Sequence, residues 1–303
     1  MATSYSFHPV ALCNMCGALP ETFHVLGTRL NRSQGRDPRH VRGAAVTIVQ
    51  CRQCDLIFPD PQPVPASVLD HYDMPGEEYW QDNRAEAVVP PLMQARFDAL
   101  RSRFDVGGQP VALDVGVGSG FSALAMMNAG FDVHGFEPIP QFRELALRTL
   151  GLPEDRIRLS GIEDADYPAE SFDFVNFGAV LEHLYDPGGS LATAVRWLRP
   201  GGRIMLEVPS AKWLIARLIN GFFRLKGTNY VTHTSPMHSP FHLYEFGEKS
   251  FQRNGEKLGY SVETLNIEVG VDTSMPMSLQ RLLRPVMART GTGMMLEAVL
   301  LKR

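Results

Sequence analysis

Val111-Ala-Leu-Asp-Val115 is a short apolar run that feeds without a spacer into Gly116-Val-Gly-Ser-Gly120. A helical pattern then begins at Phe121, continues through Leu124, Ala125 and Met127, and closes at Asn128-Ala-Gly130. Strand, glycine turn and helix in that order set bare backbone N–H groups at a helix N-terminus against a nucleotide-like ligand. The next apolar run, Phe131-Asp-Val-His-Gly-Phe136, ends in Glu137-Pro138. An acidic side chain at the end of a second strand can accept both hydroxyls of a ribose.

The alternation continues. Residues 156–160 read as a third strand, and Ser171-Phe-Asp-Phe-Val-Asn176 as a fourth. A helix with Leu191, Ala194, Val195 and Leu198 on one face stops at Arg199-Pro-Gly-Gly202, and Arg203-Ile-Met-Leu-Glu-Val208 follows as a fifth strand. Ser261–Ile267 and Met294–Leu301 supply two more, the last antiparallel at or near an edge. The expected fold is α/β: a Rossmann-like, doubly wound, mostly parallel sheet of seven strands.

Two ligands suit the glycine turn. Gly118-Ser-Gly-Phe-Ser-Ala123 also satisfies the dinucleotide pattern GxGxxA, so an NAD-dependent oxidoreductase competes. Asp114 places a carboxylate just before the glycines. There it repels a pyrophosphate but suits the amino group of a methionine moiety.

Leu113-Asp-Val-Gly-x-Gly-x-Gly120, Glu137, Ser171-Phe-Asp173, Leu181-Glu-His-Leu184 and Leu198-x-Pro-Gly-Gly202 together resemble the class I S-adenosylmethionine (SAM) dependent methyltransferases. The resemblance implies that Gly116, Gly118 and Gly120 line the methionine and ribose part of SAM, with Asp114 near its amino group. It implies that Glu137 holds the ribose hydroxyls, that Ile162 and Glu163 flank the adenine, and that Asn176 to Gly178 end the fourth strand beside the transferred methyl group.

The four cysteines form two CxxC pairs, Cys13-Asn-Met-Cys16-Gly17 and Cys51-Arg-Gln-Cys54. Two residues between thiolates let a tight turn aim both sulfurs at one ion, and two such turns make a closed tetrahedral site suited to structural zinc. Gly17 supplies the backbone freedom such a knuckle needs. The expectation is a small zinc-ribbon-like module over residues 1–65, with Gly43-Ala-Ala-Val-Thr-Ile-Val-Gln50 as a strand entering the second knuckle. A proline-rich connector (Pro59, Pro61, Pro63, Pro65) marks its end, and residues 66–105 read as a helical bridge in which Met93, Phe97, Leu100 and Phe104 recur at helical spacing. The catalytic domain is then 106–303, with a substrate-side insertion over 211–250. This front end is similar to a bacterial methyltransferase subgroup, many of whose members act on sugars or other small metabolites.

The net charge of −4 gives no whole-molecule attraction for nucleic acid. The local exception is Arg29, Arg32, Arg36, Arg39 and Arg42 with only Asp37 among them. Such a run is a solvated turn or a contact for a phosphate-bearing substrate. It is also the one feature favouring an RNA methyltransferase that uses the cysteine module as a clamp. No run of about 18 apolar residues spans a membrane, and the N-terminus lacks a basic start with a long apolar run, so the reading is cytoplasmic. The oligomeric state is not legible. The small-molecule acceptor expected is a sugar or nucleotide-linked sugar.

Methyl transfer to a hydroxyl needs alignment and a base. His183, just after the fourth strand, is the first candidate, and His242 the second. His242 lies in Thr232-His-Thr-Ser-Pro-Met-His-Ser-Pro-Phe-His-Leu-Tyr244, which holds three of the nine histidines and is rich enough in imidazole to raise a second metal site. The apolar helix expected over Trp213–Leu225, flanked by Lys212, Arg217, Arg224 and Lys226, suits a lid over the substrate or a membrane-surface helix.

Overall fold

The structure, a computed structural model, describes residues 4–30, 45–67, 71, 88–104, 107–270 and 277–303. The chain divides into two compact units: Met1–His71 with Leu181–Gly189 and Glu207–Val299, and Tyr72–Val180 with Ser190–Leu206 and Leu300–Arg303. Of the arginine run only Arg29 falls within the described residues.

In the first unit β1 (Tyr5–His8) pairs antiparallel with β5 (Gln62–Pro65), while β2 (Phe23–Leu30), β3 (Ala45–Cys51) and β4 (Ile57–Pro59) form an antiparallel three-stranded sheet. β3 is the strand expected to enter the second knuckle, and its last residue is Cys51. Val46, Ile48 and Ile57 from this sheet pack with Ala211, Val231 and Met237 in one apolar cluster. Backbone bonds join the same segments: Thr28 N–H donates to Asn229 O at 2.8 Å, and Ile57 and Glu245 exchange bonds of 2.9 and 3.0 Å. The cysteine-bearing strands and the 211–250 segment therefore share a core.

The second unit begins, among its described elements, with α1 (Pro91–Arg101). Phe97, Leu100 and Phe104 are buried, as their helical spacing predicts, and Phe97 and Phe104 meet Phe174 edge-on at 6.4 and 6.1 Å. Each fully buried phenylalanine contributes about 1.5–3 kcal/mol of transfer free energy. The chain then alternates through β6 (Val111–Val115), α2 (Phe121–Asn128), β7 (Asp132–Glu137), α3 (Pro140–Leu150), β8 (Ile157–Leu159) and β9 (Phe172–Gly178). β6 runs parallel to both β7 and β9, and β7 to β8. β6 and β9 are buried along almost their whole length, which explains why both are mostly apolar apart from Asp114, Asp173 and Asn176.

α4 (Pro187–Trp197) starts where Asp186 Oδ1 accepts from Gly189 N–H at 2.9 Å, with proline at the first helical position. β10 (Leu198–Pro209), α5 (Leu214–Leu225), α6 (Glu248–Leu258), β11 (Tyr260–Glu268), α7 (Met277–Thr290) and β12 (Met295–Lys302) complete the chain. β10 starts earlier than the sequence predicts and takes Pro200-Gly-Gly202 into the extended segment. The sheet order is β11-β12-β10-β9-β6-β7-β8, seven strands with the last antiparallel and next to an edge. Strand order reverses between β6 and β9, the switch point outside which open α/β sheets bind ligands.

α5 buries Ile215, Ala216, Asn220 and Phe223 and exposes Leu218, Phe222 and Leu225. No helix among the described residues is long and apolar enough to cross a membrane.

Asp173, from the Ser-Phe-Asp motif, ties strand starts together: its Oδ2 accepts from Val111 N–H at 2.8 Å and from Arg199 Nη1 at 2.6 Å. Asp173→Ala is expected to cost about 1–3 kcal/mol by stranding these donors. Asp173→Asn, which keeps an acceptor oxygen for Val111, should lose less. Urea midpoints of the two variants check the order.

Candidate functional site

In the second unit, Asp114 on β6 lies in register with Gly135 on β7 and with Asn176 on β9. Side chains level on adjacent parallel strands share a face. Asn176 Nδ2 accordingly donates to Asp114 Oδ1 at 2.7 Å. Both side chains are buried, and among the described residues Asp114 Oδ2 and Asn176 Oδ1 have no partner. Burial pushes the Asp114 carboxyl up to about 7 against the pull of Asn176, with Glu137 repelling it further.

The glycine turn wraps over the end of β7. Gly116 and Val117 N–H groups both donate to Phe136 O, at 3.0 and 3.1 Å. Gly116, Gly118 and Gly120 have φ of +65°, +56° and +89°. At Gly116 a Cβ would also lie 2.9 Å from Val180 Cγ2, so neither conformation nor space admits a side chain. Glu137 Oε2 accepts from Gly118 N–H and its Oε1 from Ile139 N–H, each at 2.9 Å. The carboxylate expected for ribose thus also clamps the turn, and each oxygen keeps acceptor capacity. Burial raises Glu137 to about 7 against these two amide bonds. Ile162, buried, and Glu163, exposed, lie on the turn that follows β8.

In the first unit the four cysteines converge. Cys13 and Cys54 sulfurs are 3.5 Å apart, Cys16 and Cys51 sulfurs 3.6 Å, and all four lie within 4.8 Å of one another. No two are bonded. A zinc ion with Zn–S bonds of about 2.3 Å requires sulfurs about 3.8 Å apart, which this cage matches. The knuckles close alike: Gly17 N–H donates to Cys13 O at 2.8 Å and Asp55 N–H to Cys51 O at 2.9 Å. Gly17 has the expected positive φ, +76°, and Asp55 takes the matching place at +64°. α6 holds both knuckles, since Ser250 Oγ donates to Cys54 O at 2.8 Å and Asn254 Nδ2 to Met15 O at 2.9 Å.

The two candidate histidines of this unit also meet. The His183 and His242 rings are 4.9 Å apart at 75°. Glu182 Oε1 lies 4.0 Å from His183 Nε2 and 3.7 Å from His242 Nε2. The imidazole side chains are 19% and 25% exposed, whereas Glu182 is fully buried, with neither oxygen hydrogen-bonded among the described residues. Burial lowers His183 to about 4 and His242 well below its usual value, and it raises Glu182 to about 8. Glu182 is the residue that sequence reasoning missed as a candidate. The signal was present as a carboxylate set beside His183 in an otherwise apolar run.

Residues 113–206 match the family described as a methyltransferase domain. These residues form a methyltransferase domain. Ubiquinone biosynthesis O-methyltransferase of Xanthomonas oryzae pv. oryzae (strain PXO99A) is 31% identical over 145 residues, covering 46% of this chain and 60% of that protein. The protein of the same name from Xylella fastidiosa (strain M23) is 28% identical over 177 residues, covering 53% and 71%. The chain thus spans about 60% of the length of the Xanthomonas relative. Among solved structures, a chain of the complex between the Haloferax volcanii Trm112 methyltransferase activator and a methyltransferase superposes with a TM-score of 0.50 at 16% identity, over 69% of this chain and 88% of that one. It shares the fold.

The methyltransferase domain's own residues fit SAM better than a dinucleotide. The open atoms at the switch point, Asp114 Oδ2 and Asn176 Oδ1, are acceptors. They match the ammonium donors of a methionine moiety, whereas a pyrophosphate brings only more acceptors.

A carboxyl held near 7 would make SAM binding sensitive to pH wherever it receives the methionine ammonium. Asp114 keeps its proton in the folded, ligand-free protein from the unfolded value of about 4 up to about 7, so its contribution to ligand-free stability falls as pH rises through that window. Above the window it is ionised and ready for a cation. SAM affinity should therefore rise from pH 6 to pH 8, and Asp114→Asn should flatten the rise and weaken binding at pH 8 by about 1–3 kcal/mol. Calorimetric titration across the range tests both.

Purified protein is expected to hold about one zinc per chain in the cysteine cage, in line with one closed four-thiolate site. Cys51→Ser should lose it and destabilise the unit, as elemental analysis and thermal melting would report.

Proposed function

We propose that the protein is a SAM-dependent methyltransferase acting on a hydroxyl group of a small molecule. The observation that carries the cofactor assignment is the buried Asp114–Asn176 pair, with two open acceptors beside a glycine turn clamped by Glu137. Asp114 and Asn176 hold the methionine amino group, Glu137 accepts the ribose hydroxyls, and Ile162 and Glu163 flank the adenine. SAM supplies an electrophilic methyl group on a sulfonium that leaves readily, so the chain need only orient the acceptor and take its proton.

His183 and His242 take that proton. Both are neutral at pH 7 because burial disfavours their charged forms, and both are partly exposed. Glu182 beside them is itself protonated at pH 7, since burial raises it to about 8, and becomes an opposite charge for a protonated imidazole only once it ionises. The hydroxyl acceptor is supported by the relatives, named as O-methyltransferases. A sugar or nucleotide-linked sugar remains the finer proposal from the arginine run and the cysteine front end. Residues 1–65 as zinc module, 66–105 as bridge and 106–303 as catalytic domain are likewise proposed as the functional division.

A second reading assigns Glu182, His183 and His242 to a divalent cation, favoured by their ligand atoms lying within 4.8 Å of one another. Two imidazoles and a carboxylate are a common metal set. Under that reading the protein holds a second metal equivalent that His183→Ala loses and that survives Cys51→Ser.

If the histidines act as bases, His183→Ala or His242→Ala should bind SAM normally and lose turnover by about 10²–10⁴. The loss should shrink toward high pH, where an ionised acceptor needs no base. Mass-spectrometric detection of methylated product from a panel of phenols, sugars and nucleotide-sugars measures it. Full turnover in both variants would remove these residues from the mechanism, and failure of every hydroxyl acceptor would overturn the assignment.

A further inference from the structure

Arg29, near the end of β2, is only 4% exposed. Its Nη2 lies 2.8 Å from His238 Nε2. A guanidinium can only donate, so Nε2 accepts and the imidazole proton sits on Nδ1. Burial, with Arg29 adding to it, lowers His238 to about 4, which keeps the ring in this neutral form at pH 7. Arg29 Nε and Nη1, His238 Nδ1 and Thr234 Oγ1 are all buried and have no hydrogen-bond partner among the described residues.

Glu245 is the acidic group whose field reaches Arg29. Its oxygens are already engaged, however: Oε2 by His233 Nδ1 and Oε1 by Thr234 N–H, both at 2.6 Å. The unmet atoms are thus two guanidinium nitrogens, one imidazole N–H and one hydroxyl. All of them donate, and one group carries a positive charge. Burying such donors unpaired is costly, and burial accordingly depresses Arg29 to about 10. A planar fork of N–H groups is complementary to the paired oxygens of a carboxylate or phosphate.

We propose that Arg29 and His238 form an oxyanion subsite that holds a carboxylate or phosphate group of the methyl acceptor. This rests on the reading that Glu182, His183 and His242 act on the acceptor. The loop from His233 to His242 carries a member of each set, His238 and His242. It is folded back on itself by Ser235 N–H donating to His242 O at 2.8 Å and by His242 N–H donating to Ser235 Oγ at 3.2 Å. An acceptor anchored by its anionic end would present its hydroxyl to the imidazoles from a fixed point.

The test is calorimetric titration of the zinc-loaded full chain with inorganic phosphate and, separately, with benzoate, in a buffer free of both. One of the two anions should bind once per chain. Binding of phosphate alone selects a phosphorylated acceptor, and binding of benzoate alone a carboxylated one. Arg29→Gln and His238→Ala should each weaken that binding at least tenfold, and Arg29→Lys should retain part of it. SAM affinity, measured on the same samples, should not change. His238→Ala leaves the buried arginine in place, so the proposal is tested even if Arg29→Gln fails to fold. Absence of binding by either anion, or equal binding in wild type and His238→Ala, overturns the subsite. Loss of SAM binding by the wild type would instead remove the methyltransferase reading while leaving the anion result standing.

Discussion

The second unit depends on the cost of burying two carboxylates at the ends of adjacent strands. Asp114 and Glu137 are both nearly inaccessible, and burial lifts both far above their usual range. Glu137 offsets that cost with the Gly118 and Ile139 amides, which makes the glycine turn a consequence of the carboxylate's need for donors. Asp114 is held at Oδ1 by Asn176 and its pKa is drawn down further by the Ala123 backbone, while Oδ2 has no partner at hydrogen-bond distance among the described residues. Under the proposed function, the remaining deficit is what the methionine ammonium of SAM would relieve. On that proposal, stability and cofactor affinity are coupled through one side chain.

The first unit is arranged around a different constraint. Cys13, Cys16, Cys51 and Cys54 come from two segments separated by the residues of β2 and β3, and nothing in either knuckle alone holds the sulfurs together. The cage is closed by α6 through Ser250 and Asn254, and Tyr260 fixes Asn254 in turn with a bond of 2.8 Å to its Oδ1. A second polar hub serves the same unit: the Tyr244 hydroxyl accepts from Asn14 Nδ2 at 2.6 Å and Gln62 Nε2 at 2.9 Å, and donates to Tyr185 O at 3.0 Å. Asn14 lies inside the first knuckle and Tyr185 two residues beyond His183. The cysteine region and the histidine region are thereby joined by hydrogen bonds, so the cage helps to position segments that carry candidate chemistry.

Strands β6, β7, β9, β11 and β12, helices α2, α4 and α5, and the paired knuckles were legible from sequence because each has a strong local cause. Buried parallel strands are continuously apolar, a left-handed turn demands glycine, and CxxC spacing is set by a metal's geometry. α6 was not legible: its sequence, Glu-Lys-Ser-Phe-Gln-Arg-Asn-Gly-Glu-Lys-Leu, offers little apolar periodicity, and its buried Ser250 and Asn254 are polar. Its helix is stabilised by partners distant in sequence, Cys54 and Met15, 196 and 239 residues away. Only the early start of β10 escaped, for the opposite reason, since Pro-Gly-Gly normally punctuates a chain.

By itself the sequence determined the α/β sheet, the SAM-type turn and the identity of the four thiols, because those depend on neighbours a few residues apart. Tertiary structure decided the pairing of Asp114 with Asn176, which requires the register of two strands that lie 62 residues apart in the chain. It also decided that Glu182 joins His183 and His242, and that Arg29, one of five arginines in a polar stretch, is buried against His238 while its Nε and Nη1 stay unmet. Desolvation is the physical reason. A local pattern shows which groups are titratable, but only the packing of distant segments removes water from them, and that removal turns ordinary carboxylates, imidazoles and a guanidinium into groups that need a partner.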